Sequence, residues 1–250
     1  MDRVRFTTIA HRTHERLSPI SPGRADRLLD ALGAGPASRA IDVGCGKGGF
    51  LLRLVERSGC SGVGLDLNPE FLAEARERQA QRVPAAAIEW IGGDATAYPA
   101  ATASFDAALC LGATHALGGF VPALQTLRRW VKPGGRMLVG EGYWKREPDP
   151  KYLEFLGARR DEFLVHDANR MQGEALGMRS VAAEESSLEE WDAYETPYAE
   201  AVERFASEHP DDPDTPAMLE RIRAWRGAYF SWGRDTLGFG IYLFEVPSRG

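Results

Sequence analysis

The sequence predicts an α/β fold, a mostly parallel sheet with helices on both faces, and three observations predict it. Short apolar runs alternate with segments of helical period, and strands separated by helices return parallel and are covered on both sides. The first run leads into a glycine-dense loop that opens a helix. Apolar residues make up 44% of the 250 and charged residues 26%, an ordinary globular balance that suits one domain with decoration.

Residues 21–33 read as a helix: Ser21 caps it, Pro22 suits the first helical position, and Ala25, Leu28, Leu29 and Leu32 share one face before Gly33 ends it. A strand at 39–43 precedes the glycine loop and a helix over 49–58. A second strand, Gly62 to Leu67, precedes a helix capped by Asn68 with Pro69 and Glu70 in its first turn. The third strand, Ala87 to Ile91, ends in Gly92-Gly93-Asp94. The fourth, Phe105 to Leu111, is a buried-type run, and the helix after it sets Phe120, Ala123, Leu124, Leu127 and Val131 on one face. Lys132-Pro133-Gly134-Gly135 then turns the chain into a fifth strand, Arg136 to Glu141.

After Gly142 the rhythm changes. Residues 146–176 read as helical and 178–184 as a sixth strand. Further helices start at the Ser187/Glu190 capping box and at Thr215-Pro216, with a loop over 209–214 between them. Phe239 to Val246 reads as a closing strand. The organisation expected is a single domain over 1–250: an N-terminal helical segment (1–35), a ligand-binding core (36–145), a helix and strand (146–186), a helical cap insertion (187–235), and a final strand and tail (236–250). The cap is expected over the carboxyl ends of the strands, where open α/β sheets bind ligands.

The net charge is −6, with no long basic run, which argues against a nucleic-acid partner and favours a small uncharged or cationic one. Cys45, Cys60 and Cys110 are an odd set without metal-type spacing, so no metal is expected and a reducing cytoplasm is. The first residues lack an apolar signal core. No apolar stretch approaches the ~20 residues of a membrane span, so no membrane partner is expected either. Oligomeric state is left open.

The loop Asp42-Val43-Gly44-Cys45-Gly46-Lys47-Gly48-Gly49 lets backbone pass close to a ligand at a helix N-terminus. It satisfies both GxGxG and GxGxxG, so on its own it also suits a dinucleotide. Asp66 ends the second strand, where a carboxylate accepts both hydroxyls of a ribose. Asp42, just before the glycines, suits a cationic ligand and would repel a pyrophosphate. Asp94-Ala95 after the third strand suits an adenine amino group.

Together, Asp42 through Gly48, Asp66, Gly93-Asp94-Ala95 and Lys132-Pro133-Gly134-Gly135 resemble the class I S-adenosylmethionine-dependent methyltransferase family over about residues 36–145. Gly112-Ala113-Thr114-His115, Gly118-Gly119-Phe120, Gly140 through Trp144 and the Trp232-Gly233…Phe239-Gly240 tail look like an uncharacterised bacterial branch of it. The resemblance implies a Rossmann-like seven-stranded sheet with a reversed final strand, and S-adenosylmethionine as cofactor. It implies Gly44, Gly46 and Gly48 under the methionine part, Asp42 near its amino group, Asp66 on the ribose, and Asp94 with Ala95 around the adenine.

The function expected is methyl transfer to nitrogen, oxygen or sulfur of a small-molecule acceptor by in-line displacement, which leans on alignment and desolvation. His115, just past the fourth strand, is a candidate base or acceptor-orienting group; the alternative is a loop histidine. Glu141, Tyr143 and Trp144 follow the fifth strand and together suit a cationic amine. The alternative has the aromatics packed under the cap and Glu141 paired with an arginine. Tyr229 is the cap aromatic singled out as substrate-facing; the other cap aromatics read as core. His11 and His14 lie three apart in a segment that could close over the cofactor; they lack a carboxylate or cysteine partner for a metal, and the alternative is a packing or solvated role. Two other functions stay open: a non-catalytic adenosylmethionine-binding protein, and an NAD-dependent oxidoreductase, although no lysine sits in a suitable tyrosine-lysine context.

Overall fold

The computed structural model describes residues 2–248. Its centre is a seven-stranded sheet in the order β3-β2-β1-β4-β5-β7-β6. The strands are β1 (Arg39–Val43), β2 (Ser61–Asp66), β3 (Ile88–Gly92), β4 (Phe105–Leu111), β5 (Val131–Trp144), β6 (Arg179–Glu185) and β7 (Leu237–Glu245). Strands β1 to β5 pair in parallel, and β7 runs antiparallel to both β5 and β6. The expected reversed strand is therefore present, shifted by a residue or two. Strand order reverses between β1 and β4, so the carboxyl ends of these two strands open a crevice beside the glycine loop.

The helices are α1 (Arg3–Ala10), α2 (Pro22–Asp30), α3 (Gly49–Ser58), α4 (Pro69–Arg82), α5 (Phe120–Trp130), α6 (Pro150–Leu156), α7 (His166–Ala175), α8 (Leu188–Glu208) and α9 (Thr215–Ala228). One apolar layer sets Leu28, Leu29, Leu51, Leu52 and Leu54 against one face of the sheet. The other sets Leu124, Leu127 and Trp130 against the opposite face. Each face thus buries an amphipathic helix stripe, the reason the central strands carry apolar residues on both sides.

Several expectations are corrected. Lys132-Pro133-Gly134-Gly135 lies inside β5 as an irregular stretch, because Val131 already pairs with Phe105 before the register slips. The same strand continues past Glu141 to Trp144, because β7 pairs with it from Arg136 through Trp144. Residues 146–176 form two helices; Gly157, at φ +63°, ends α6. Ser21 precedes α2 but its side chain makes no capping bond; its backbone N–H donates instead to Glu190, at 2.8 Å. The capping box of Ser187 and Glu190 is present.

The cap is larger than the expected 187–235 insertion. Phe6, Ile9 and Ala10 of α1 share one apolar cluster with Ala199, Val202 and Phe205 of α8 and Met218 and Ile222 of α9. Arg5 donates to Asp214 at 2.6 Å and also pairs with Asp212, tying α1 to the 209–214 loop. Among the described residues no helix is long and apolar enough to cross a membrane.

Candidate active site

The glycine loop leaves β1 through backbone that side chains resist. Gly44 and Gly46 have φ of +69° and +53°, in the left-handed region. A Cβ on Gly44 would lie 2.2 Å from Ala113 Cβ, and one on Gly46 would lie 2.5 Å from Leu17 Cδ1. The loop is therefore closed from below by the turn after β4 and from above by an N-terminal strap, residues 11–20. The strap is held by Ser18 Oγ, which donates to the Leu111 carbonyl at 3.0 Å, and by Lys47 Nζ, which donates to the Arg12 carbonyl at 2.9 Å and faces Glu74 at 3.0 Å. Gly48 then caps α3 in a left-handed conformation, turning the helix N-terminus toward the loop.

Asp42 is 2% exposed and its Oδ2 has no hydrogen-bond partner among the described residues. It lines a small pocket between loop and strap with Gly44, Leu17, Ser18 and Leu111. Burial first, and then the like charge of Asp66, push its carboxyl up to about 8; a backbone bond at Leu51 opposes them. Asp66 closes β2. Its Oδ2 accepts from Gly46 N and its Oδ1 from Asn68 N, both at 2.8 Å. Burial raises this carboxyl, against those backbone bonds. Asp94 is exposed; its Oδ1 accepts from Thr96 N at 2.8 Å and Thr96 Oγ1 at 2.7 Å. These bonds hold it below the usual carboxylate range. Ala95 is buried beside it.

At the ends of β4 and β5 the predicted acceptor residues separate. His115 is exposed in the short turn Thr114–Leu117, near enough to Asp66 for its charge to act on that carboxyl. Thr114 is buried and donates its hydroxyl to Glu141, whose other oxygen accepts from Gly142 N at 2.8 Å. Glu141 is thus bonded to a threonine and pairs with no arginine among the described residues; burial raises its carboxyl. Tyr143, two residues on, donates to Glu185 at 2.7 Å and packs on His166, with its phenol pushed up by burial. Trp144 is 5% exposed among Tyr152 and Phe163 and donates to the Arg160 carbonyl at 2.9 Å. Tyr229 donates to Asp192 at 2.7 Å inside the cap. Glu141 therefore bonds to Thr114, the sequence neighbour of His115, whereas Tyr143, Trp144 and Tyr229 bond to Glu185, the Arg160 carbonyl and Asp192.

His11 and His14 are buried, so the solvated alternative falls. The ring of His11 bonds Tyr194 Oη at 2.8 Å, and that of His14 bonds the Tyr194 carbonyl at 2.9 Å. Burial lowers both, His11 to about 4.

Residues 40–135 match a family model for a methyltransferase domain. A methyltransferase from Geobacter sulfurreducens, solved with S-adenosylhomocysteine, superposes with a TM-score of 0.89 at 29% identity, covering 97% of this chain and 98% of that one. The fold and residues 40–135 are those of the class I S-adenosylmethionine-dependent methyltransferases. S-adenosylmethionine is its cofactor. A second such methyltransferase with S-adenosylhomocysteine, from Thiobacillus denitrificans, has 26% identity and a TM-score of 0.89 over 98% of this chain and 100% of that one. The uncharacterized protein YjhP of Escherichia coli is 29% identical over 97% of this chain and 98% of its own length. A malonyl-[acyl-carrier protein] O-methyltransferase of Enterobacter lignolyticus is 37% identical over 44% of this chain; the match spans only 41% of that protein.

The residues of this methyltransferase fit the cofactor. The unpartnered Asp42 oxygen suits an ammonium, and the glycine backbone leaves no room for side chains there. Asp66 and Asp94 each keep acceptor capacity beyond the bonds they make. Sequence reasoning missed the Thr114 partner of Glu141, which no local signal marks. Of the strap it gave only that the His11/His14 segment could close over the cofactor.

Proposed function

We propose that this methyltransferase transfers a methyl group to nitrogen, oxygen or sulfur of a small-molecule acceptor. The observation that carries the reading is the cap. Helices α1, α8 and α9 share one core, and Thr8 Oγ1 of α1 receives a bond from Asn68 Nδ2, at 2.8 Å, beside the end of β2. The cap therefore reaches the carboxyl edge of the sheet at the end of β2, and the net charge of −6 disfavours a polyanionic acceptor.

When bound, S-adenosylmethionine supplies an activated methyl group on a sulfonium. The chain's own residues divide the remaining work. Asp42 takes the ammonium of the methionine part, and Gly44, Gly46 and Gly48 run beneath that part. Asp66 holds the ribose, and Asp94 and Ala95 frame the adenine. His115 orients the acceptor or takes its proton. Glu141, fixed by Thr114, presents a burial-raised carboxyl on the same edge. Tyr143 supports that edge through Glu185, and Trp144 packs edge-on to Tyr152 of α6. Tyr229 belongs to the cap cavity described next.

The test incubates the protein with methyl-labelled S-adenosylmethionine and fractionated metabolite pools. Label in a small organic product supports the reading. Label appearing only in nucleic acid or protein overturns it.

A further inference from the structure

A second cavity, of about 180 Å³, lies between α6, α8 and α9. Its walls are aromatic and aliphatic, with Tyr152, Trp191, Tyr194, Trp225 and Tyr229 around a single carboxylate, Glu195. Glu195 is 8% exposed. Its Oε2 accepts from Trp225 Nε1 at 2.7 Å, and no basic side chain pairs with it among the described residues. An unpaired carboxylate in apolar surroundings is costly, and burial pushes this one up to about 7. The indole Nε1 of Trp191, on the same wall, is buried without a partner among the described residues. The phenols do not neutralise the site: Tyr229 is bonded to Asp192, Tyr194 to His11, and burial with the charge of Glu195 raises Tyr152 to about 12.

One carboxylate among aromatic faces is the arrangement that recognises an organic ammonium, by charge and by cation–π contact. The cavity also adjoins the strand ends. Trp191 stands edge-on to Phe239, with ring centroids 6.5 Å apart. The Phe239 ring in turn covers Gly140, beside Glu141, so closely that a Cβ there would lie 2.5 Å from it.

We propose that this cavity is the recognition site for a cationic, apolar-bodied group of the acceptor, its charge set against Glu195 and its body against Trp191, Trp225, Tyr152 and Tyr229. The inference rests on the small-molecule reading above and adds the acceptor's chemical class.

The test uses phenyltrimethylammonium and its uncharged isostere tert-butylbenzene, titrated into the protein saturated with S-adenosylhomocysteine and followed by tryptophan fluorescence. The cation should bind at least tenfold more tightly than the isostere. Glu195→Gln, which keeps an acceptor for Trp225, should abolish that preference and leave S-adenosylhomocysteine affinity unchanged. Equal binding of the two probes, no binding of either, or a preference that survives Glu195→Gln overturns the inference. Calorimetry with S-adenosylhomocysteine on the same samples separates the two readings. A protein that binds it but shows no cation preference loses only this inference. One that fails to bind it loses the methyl-transfer reading instead.

Discussion

A carboxyl group that is buried, unpaired and beside a second carboxylate keeps its proton well above the usual range, and Asp42 is such a group. Its folded value of about 8 lies above the ~3.9 of an unfolded chain. Its contribution to stability is therefore full below ~4 and lost as pH rises through about 8. The empty protein should lose stability over that window, and less so in Asp42→Asn, as chemical denaturation at several pH values will show. A cofactor ammonium needs the ionised form, so binding should expel a proton below pH 8 and tighten as pH rises toward it. Calorimetry at pH 7 in buffers of different ionisation enthalpy measures that proton; finding none would remove Asp42 from the ammonium. Asp66→Ala should weaken cofactor binding about tenfold or more, since charge-assisted bonds contribute roughly 1.5–3 kcal/mol each and ~1.4 kcal/mol is a decade. Asp66 also holds Gly46 N and Asn68 N, each through a different oxygen, and Asp66→Asn keeps an acceptor for only one of them; unchanged affinity in a folded Ala variant sinks the ribose role. His115→Ala should cost ~10²–10⁴ in turnover at saturating cofactor with cofactor affinity nearly unchanged. A loss that His115→Asn rescues means orientation, and one that persists until high pH means proton removal. Weaker cofactor binding with normal turnover would instead tie His115 to Asp66.

At the scale of elements, the cap and the cofactor loop are joined by a short piece of chain. The strap crosses the loop, α1 precedes it, and Arg5 of α1 holds Asp212 and Asp214. A ligand that fixes the strap should therefore steady the 209–214 loop. We expect S-adenosylhomocysteine to slow proteolysis in that loop, and Arg5→Ala to speed it and weaken the protection. The effect should be modest because the pair is partly exposed and water and salt screen it. Identical cleavage with and without the ligand would make the cap a rigid element. The coupling was not legible in the sequence. Phe6 and Ile9 belong to a helix with little amphipathic pattern, and their partners Val202 and Ile222 lie nearly the whole chain away. The segments from β1 through β4 were legible because each carries its own local signals, among them Asn68 and Pro69 at the start of α4.

At the scale of the molecule, the parts of the candidate site whose position was legible in the sequence are those placed by the parallel half of the sheet. Asp42, Asp66 and Asp94 stand at or just past strand ends whose position depends on contiguous residues. The surroundings of the residues after Glu141 were not legible because they come from β7, α6 and α7. Tyr143 shares a strand face with Glu141, yet Glu185 and His166 claim it; nothing near residue 143 announces them. Whole-molecule stability should report the ligand: S-adenosylhomocysteine at a hundred times its Kd should add ~2.7 kcal/mol, and NAD nothing, as thermal shift will show. An equal shift by NAD would reopen the dinucleotide reading of the glycine loop.

The order of the last two strands has a consequence during synthesis. β6 is paired with β7 alone, so residues 179–185 leave the ribosome before their only neighbour in the sheet exists. Until residues 237–245 follow, β5 presents an open edge of unpaired amide and carbonyl groups, a template for another chain. The nascent protein is thus exposed to misassociation while α8 and α9 are being translated, and chaperone demand should peak in that interval.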